Sequence, residues 1–408
     1  MSMHFTNSEW QKINQLFATA DESNFGLPTR RNKSVVISTF NIRSLGTVKN
    51  RTSQSWAFLT EICSRCDLVA IQEVKDNLAG LRKIKDALGD KFGLVVSDVT
   101  GVNYGRGGGS PERLAFLFRW DRISRMELAS DISYDRTAVI DSLKEDRLAW
   151  NKYLRNSNKY DKAQAAYKAA KKHAKANGLP APPKPTEKLP EPPGFLTFIR
   201  QPHTAAFEIT AKGQAKPIQF MAVNTHLNYG DFPSERAAEF EALIQWLTLR
   251  AKRQDRMYYD NMILLGDCNL DFKDANIKRT EIDQLLKDIN AKELKNKKAA
   301  KVNFPLLDAH PVYGQIRMNA RRTQTYDQIG IFIRDQRLPD DMANDNLTLQ
   351  PDDYNYGCFN FVDLFAQALF QTPFDQLAKS DWNHIIDRTQ WDVSDHMPAW
   401  IRLPIPGA

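Results

Sequence analysis

Four short apolar runs that each end in polar residues constrain this chain more than any other feature. Val35-Val36-Ile37 leads into Thr39-Phe40-Asn41-Ile42, and Leu68-Val69-Ala70 into Ile71-Gln72-Glu73-Val74. Phe220-Met221-Ala222-Val223 leads into Asn224-Thr225-His226-Leu227, and Met262-Ile263-Leu264-Leu265 into Gly266-Asp267-Cys268-Asn269. A fifth polar segment, Trp391-Asp392-Val393-Ser394-Asp395-His396-Met397-Pro398, stands near the C-terminus. Apolar runs of this length, rich in β-branched residues, predict buried strands. A polar group at the end of such a strand is held rigidly and opens onto the sheet edge, where ligands bind. Asn41, Glu73, Asp267, Asn269 and Asp395 all supply oxygen atoms, with His396 beside them. That inventory suits a hard divalent cation and an oxyanion, meaning magnesium (with manganese or calcium as substitutes) and a phosphate.

Each piece alone has a plainer reading, Gly-Asp-x-Asn as an Asx-rich turn and Ser-Asp-His as a helix cap. Together, and in this order, they resemble the endonuclease/exonuclease/phosphatase superfamily, the fold of deoxyribonuclease I, over about residues 34–120 and 195–404. The resemblance implies an α/β fold, a four-layer α-β-β-α sandwich. It also implies roles. Glu73, supported by Asn41, anchors magnesium, and Asp395 completes the metal shell or orients a histidine. Asp267 orients or deprotonates a water, or binds metal, and Asn269 donates its amide to a phosphate oxygen. His226 pairs with Glu112, which opens the expected strand Glu112–Arg119, and His396 pairs with Asp327 in Tyr326-Asp327-Gln328-Ile329. A neighbouring carboxylate fixes the imidazole tautomer and stabilises its charged form. Which histidine is acid and which base stays open; the bland alternative makes His226 a satisfied core histidine and Asp327 a turn residue. Arg200, in Arg-Gln-Pro, matches a family position where an arginine contacts the phosphate backbone. Arg113 and Tyr326, beside the two carboxylates, complete the expected substrate-binding set.

With 42% hydrophobic and 26% charged residues, the 408-residue chain can bury a full core, and one domain over 1–408 is expected. No apolar stretch approaches the ~20 residues needed to span a bilayer. The N-terminal Met1-Ser2-Met3-His4-Phe5-Thr6 lacks the basic and apolar parts of a secretory signal. Cys63 and Cys66 form a C-x-x-C with no second pair, so reduced structural thiols in a cytoplasmic protein are expected, Cys268 included. A net charge of +7 fits a polyanionic substrate.

Residues 7–20 read as an amphipathic helix behind an Asn7-Ser8 cap, with Trp10, Ile13, Leu16 and Phe17 at helical spacing. Strand Glu112–Arg119, entered from the glycine-rich loop 105–110, is followed by another through Phe198–Pro202 to Ala206–Ile209 only after a long excursion. Residues 121–194 are expected as an inserted basic helical and proline-rich arm, tolerated at a surface loop. Within it, 141–194 holds twelve Lys/Arg against six Asp/Glu. Its segment 161–177 is strongly helix-forming, with Lys168, Lys171, Lys172 and Lys175 on one face. That face serves as a solvated surface as readily as a functional one. Tyr153, Tyr160 and Tyr167 recur every seven residues, a spacing of anchors more than of base-stacking groups. The seven prolines between Pro180 and Pro193 predict a stiff extended limb. A helix is expected within 278–301, and an irregular excursion over 334–390.

The family hosts nucleases, inositol-polyphosphate and other phosphatases and sphingomyelinases, so the fold does not choose the substrate. Leu265 and Tyr326-Asp327-Gln328 stand where inositol phosphatases carry Trp and Cys-Asp-Arg. The expectation is a magnesium-dependent, sequence-non-specific DNA endonuclease acting on nucleic acid, double-stranded DNA first, and not on membranes. The alternatives are a phosphatase for a small molecule or lipid head group, and an inactive binding module, against which the intact constellation argues. A nuclease of this kind would need restraint, hence an expected regulatory protein partner.

Overall fold

The computed structural model describes residues 3–101, 111–133, 136–194, 197–229, 233–251, 259, 261–270, 280, 284, 287, 301–310, 313–335, 337–338 and 355–408. The expected glycine loop 105–110 and most of 278–301 lie outside the described residues.

Two six-stranded sheets face each other. The first comprises β1 (Ser34–Leu45), β2 (Leu68–Val74), β3 (Phe92–Val96), β4 (Arg113–Arg119), β11 (Tyr356–Cys358) and β12 (Ala399–Pro404) in the order β11-β12-β1-β2-β4-β3. The second comprises β5 (Ile123–Asp131), β6 (His203–Ile209), β7 (Ile218–His226), β8 (Met262–Asp267), β9 (Lys301–Asn303) and β10 (Asp327–Ile333) in the order β5-β6-β7-β8-β10-β9. Each sheet has one parallel pair at its centre, β1 with β2 and β7 with β8, and all other neighbours run antiparallel.

The period-two pleat sorts the side chains. Phe220, Ala222, Ile263 and Leu265 enter the core shared by the two sheets. Their neighbours Met221, Val223, Met262 and Leu264 point the other way and pack with Phe240, Leu243 and Leu247 of a helix spanning Pro233–Ala251. The opposite outer layer holds α1 (Asn7–Phe17), α2 (Ser53–Ser64) and α3 (Ala79–Leu88), with Trp10 and Phe58 rings 5.6 Å apart. The result is the four-layer α-β-β-α sandwich. Between β5 and β6 lie α4 (Arg136–Glu145) and α5 (Arg147–Ala176); the Pro233–Ala251 helix is α6, and α7 (Phe361–Phe370) and α8 (Lys379–Asp392) precede β12.

Several boundaries differ from expectation. The α1 cap is Thr6, not Asn7-Ser8, because Thr6 and Glu9 satisfy each other's backbone amides in a capping box. Helix α5 runs thirty residues, well beyond 161–177. Phe198–Pro202 is not strand, since β6 starts at His203. The stretch 334–390 is not irregular throughout: Asn360 caps α7, whose Phe361, Leu364 and Phe365 are buried. All four cysteines are free and buried, and burial pushes the Cys63 thiol up to about 12. Among the described residues no helix is long and apolar enough to cross a membrane.

A candidate active site at the carboxyl ends of the parallel strands

The parallel pairs bring the last residues of β1, β2, β7 and β8 to one edge, where polar side chains stitch the sheets together. Gln72 Nε2 donates to Asn224 Oδ1 at 2.6 Å, and Asn224 Nδ2 donates to the carbonyls of Ile71 and Ala115. Asn41 Nδ2 donates to Asp267 Oδ2 at 2.9 Å. Gly266 allows this closeness: its φ is +154°, and a Cβ there would fall 2.0 Å from the Thr225 carbonyl oxygen. Glu73 sits at φ 59° where the register of β2 slips against both neighbours, a bulge that re-aims the side chain at the sheet edge.

At this edge a continuous array of charged groups crosses the interface. His226 Nδ1 lies 2.9 Å from Glu112 Oε2, and His396 Nδ1 lies 2.7 Å from Asp327 Oδ2. The Nε2 atoms of both rings face the same oxygen, Asp267 Oδ2, at 3.6 Å each. Asp267 is 1% exposed. Burial works against its charge, but His396, His226, the Asn269 amide and Asn41 together hold its carboxyl below the ordinary value. Such an array can accept a proton at one imidazole and deliver one from the other across a single bound group.

Beside it lie hard oxygen donors. Asn41 Oδ1 and Asp395 Oδ1 are buried and accept no hydrogen bond among the described residues, a state that calls for an explanation such as a cation. Glu73 Oε2 takes the Ser44 amide at 2.8 Å. Arg51, whose pKa burial lowers to about 10, feels both Glu73 and Asp395 as opposing charges, which places them in one neighbourhood. Asn41, Glu73 and Asp395 thus fit a magnesium-type ion by donor chemistry. Asp267, Asp327 and His396 also offer atoms within 4.8 Å of one another. There, however, the Nδ1 of His396 is already engaged by Asp327, so that trio reads better as acid–base apparatus than as a metal cage.

The remaining expected residues are placed less simply. Arg200 is turned inward and 6% exposed. Its Nε lies 3.2 Å from Glu112 Oε2, and Nη1 donates to the carbonyls of His226 and Leu227. The guanidinium expected to contact phosphate is here engaged with the backbone and carboxylate behind His226. Asn269 likewise spends an amide hydrogen on the Leu227 carbonyl at 2.8 Å and is 3% exposed. Arg113 reaches Ser97 and Asp98, on the side of the strand away from Glu112. Tyr326 stays near, its ring 6.2 Å from that of His396. Sequence reasoning missed four contributors. Lys75 Nζ sits 3.4 Å from Glu112, and Arg43 Nη1 3.7 Å from Asp395. Ser394 Oγ donates to the Asn41 carbonyl at 2.6 Å and accepts the amides of Arg43 and His396, locking the C-terminal loop to β1. Glu239 of α6 accepts the amides of Ile199 and Asn228. Ser394 was visible in Ser-Asp-His and Lys75 follows Glu73 by two residues, whereas Glu239 carries no local signal.

Two mixed sheets packed face to face between helical layers form an α/β sandwich of the deoxyribonuclease I-like kind. No known protein-family profile matches it. Among curated proteins it is similar to deoxyribonuclease-1 of Homo sapiens, 31% identical over 99 residues, and to that of Bos taurus, 33% identical over 99 residues. Each alignment takes in 23% of this chain and 33% of the relative, so the match spans about a third of those proteins' length. Among solved structures, the human Nocturnin catalytic domain with bound sulfate aligns at 12% identity and a TM-score of 0.41, covering 90% of this chain and 93% of that one. An endonuclease/exonuclease/phosphatase family protein from Bacteroides thetaiotaomicron aligns at 12% identity and 0.43, covering 91% and 94%.

Proposed function

We propose that the chain is a magnesium-dependent phosphodiesterase, and specifically an endonuclease that cuts double-stranded DNA without reading its sequence. One observation carries this reading: the unbroken line Glu112–His226–Asp267–His396–Asp327, with two imidazole Nε2 atoms converging on one carboxylate oxygen. Hydrolysis of a phosphodiester needs one proton taken from water and another given to the leaving oxygen. In this reading Asp267 orients the water, and the two histidines take and give the protons, each kept in one tautomer by its own carboxylate at Nδ1. Asn41, Glu73 and Asp395 would hold the cation, which supplies Lewis-acid polarisation of the phosphate when bound. Arg200 and Asn269 keep the His226–Leu227 backbone fixed, so the ring does not wander from Asp267. Tyr326 borders the site, and Arg113 lies too far round the strand to share in the chemistry. A partner protein that restrains the activity belongs to the same proposal.

The test is plasmid DNA with magnesium, then with chelator, for the wild-type protein and Glu73→Ala. Nicking by the wild type, its loss on chelation, and its abolition in a Glu73→Ala variant with an unchanged circular dichroism spectrum are expected. Phosphate release from small monoesters without nicking would replace the nuclease reading with a phosphatase one. Retention of more than a small fraction of activity by Glu73→Ala would overturn the metal assignment.

A further inference from the structure

Helix α5 departs from the sheet at the catalytic end. In the register of the second sheet Asp131 stands opposite His203, and His203 opposite Asn224, two residues before His226. The excursion that contains α4 and α5 therefore leaves two strands from the His226 strand, about 10 Å across the sheet, and returns in the strand beside it, about 5 Å away. Its base is pinned. His203 Nδ1 lies 2.7 Å from Asp131, Ser130 and Thr204 share a hydroxyl contact at 2.9 Å, and the Ile132 amide donates to the Pro202 carbonyl at 2.8 Å. The return limb runs on into Arg200, which holds Glu112.

At 1.5 Å per residue, the thirty residues of α5 extend about 45 Å. They include nine Lys/Arg and a single acidic residue, Asp161, so this one helix exceeds the net charge of the whole chain. All nine cations are exposed. Lys152, Arg155, Lys159 and Lys162, spaced three, four and three apart, form one stripe, a face the sequence reading did not single out. Lys168, Lys171, Lys172 and Lys175 lie about half a turn further round. Tyr153, Tyr160 and Tyr167 are half-buried on the side away from the first stripe, the anchoring side, so the lysines there face outward. Like charges at these spacings disfavour an isolated helix, and an opposing charge relieves them. A small phosphoester bound at Asp267 could not touch a helix of this length. An extended polyanion could lie on both, and duplex DNA, with a charge every ~1.7 Å of axis, offers phosphates along the whole length of the helix. An anionic membrane fits less well, since Leu148 at one end is the only large apolar side chain along the Lys152–Lys162 stripe and no Trp, Tyr or Phe stands there to insert.

Resting on the nuclease reading above, we propose that α5 is a backbone-gripping arm that holds duplex DNA while one of its phosphates occupies the His226–Asp267–His396 site. The experiment compares the wild type with Lys152→Gln/Arg155→Gln/Lys159→Gln/Lys162→Gln, using a 30-base-pair duplex of arbitrary sequence in chelator over a salt series. Hydrolysis of bis(p-nitrophenyl) phosphate with magnesium and flotation with phosphatidylserine vesicles run in parallel. Loss of four phosphate contacts is expected to flatten the slope of log K against log salt by about 3.6 and to weaken binding at least roughly 10- to 100-fold near 0.1 M salt. Turnover of the small diester should be unchanged, which also shows that the variant is folded. Wild-type DNA binding with an unaltered slope in the variant overturns the arm while leaving the nuclease reading intact. A wild type that hydrolyses the diester but neither binds nor cuts DNA overturns both. Loss of vesicle binding alone would overturn the arm in favour of a membrane contact.

Discussion

Glu112 and Asp327 each hold a histidine by Nδ1, at 2.9 and 2.7 Å, yet their surroundings differ. Burial opposes charge on Glu112, but His226, Arg200 and Lys75 outweigh it and bring the carboxyl down to about 2. Asp327 is 0% exposed, and burial pushes it up to about 6 against the pull of His396, with Asp267 adding to the rise. The imidazole of His396 answers in kind. Burial alone would lower its pKa, but Asp327, Asp267 and Asp395 carry it well above the usual histidine value. One pair is thus neutralised by cations of its own scaffold, and the other depends on the proton of its histidine. Geometric likeness does not imply electrostatic likeness, and the two carboxylates should respond differently to the same change.

The largest effects test the likeness. His226→Ala and His396→Ala should each slow turnover on the order of 10²- to 10⁴-fold. The double variant should be within a few-fold of the poorer single, because the pair acts as one unit. A near-normal rate for either variant would make that histidine structural and leave only one pair to discuss. The difference is tested next, through stability. Glu112→Gln removes the carboxylate facing a 6%-exposed guanidinium and should destabilise the protein by about 3–5 kcal/mol in urea denaturation. Asp327→Asn replaces an acid that burial already penalises, and should change stability by less than about 1 kcal/mol while still slowing catalysis through loss of the His396 tautomer. Equal destabilisation by the two would erase the contrast.

The smallest effect probes the scaffold behind Glu112. Glu239 is 3% exposed, and burial raises its carboxyl to about 7, although the Asn228 and Ile199 amides pull the other way. The folded state therefore holds this proton more tightly than the unfolded chain. The associated stability is full below about pH 4.5 and is lost as the pH rises towards 7, by about 3 kcal/mol at most. Glu239→Gln should flatten the stability profile over that window. A wild-type slope in the variant would assign the pH dependence to other groups.

The strand-end residues were legible because β-branched runs mark buried strands, and their polar terminators stand out against them. The pairing of His226 with Glu112 was legible only through family resemblance, since the two lie 114 residues apart and in different sheets. The inward turn of Arg200 was not legible, for a physical reason. Its direction is set by a carboxylate across the interface, and no local pattern encodes which way a strand-edge arginine turns. The α7 helix, by contrast, was readable from Asn360 and the spacing of Phe361, Leu364 and Phe365.

The Ser394 lock has a consequence for the order in which the chain is made. Asn41 and His396 belong to one edge, but more than three hundred residues of synthesis separate them. Translation proceeds from the N-terminus, and early segments begin to fold while later ones are still missing. A ribosome that has passed β8 already displays Asn41, Glu73, His226 and Asp267, but no second imidazole and no loop to close on β1. An unfinished or prematurely terminated product would hold most of the strands but only the Glu112–His226–Asp267 part of the array. On the function proposed above, competence would then arrive as a late, all-or-none event, and a cell would be spared a phosphodiesterase still tethered to its own messenger.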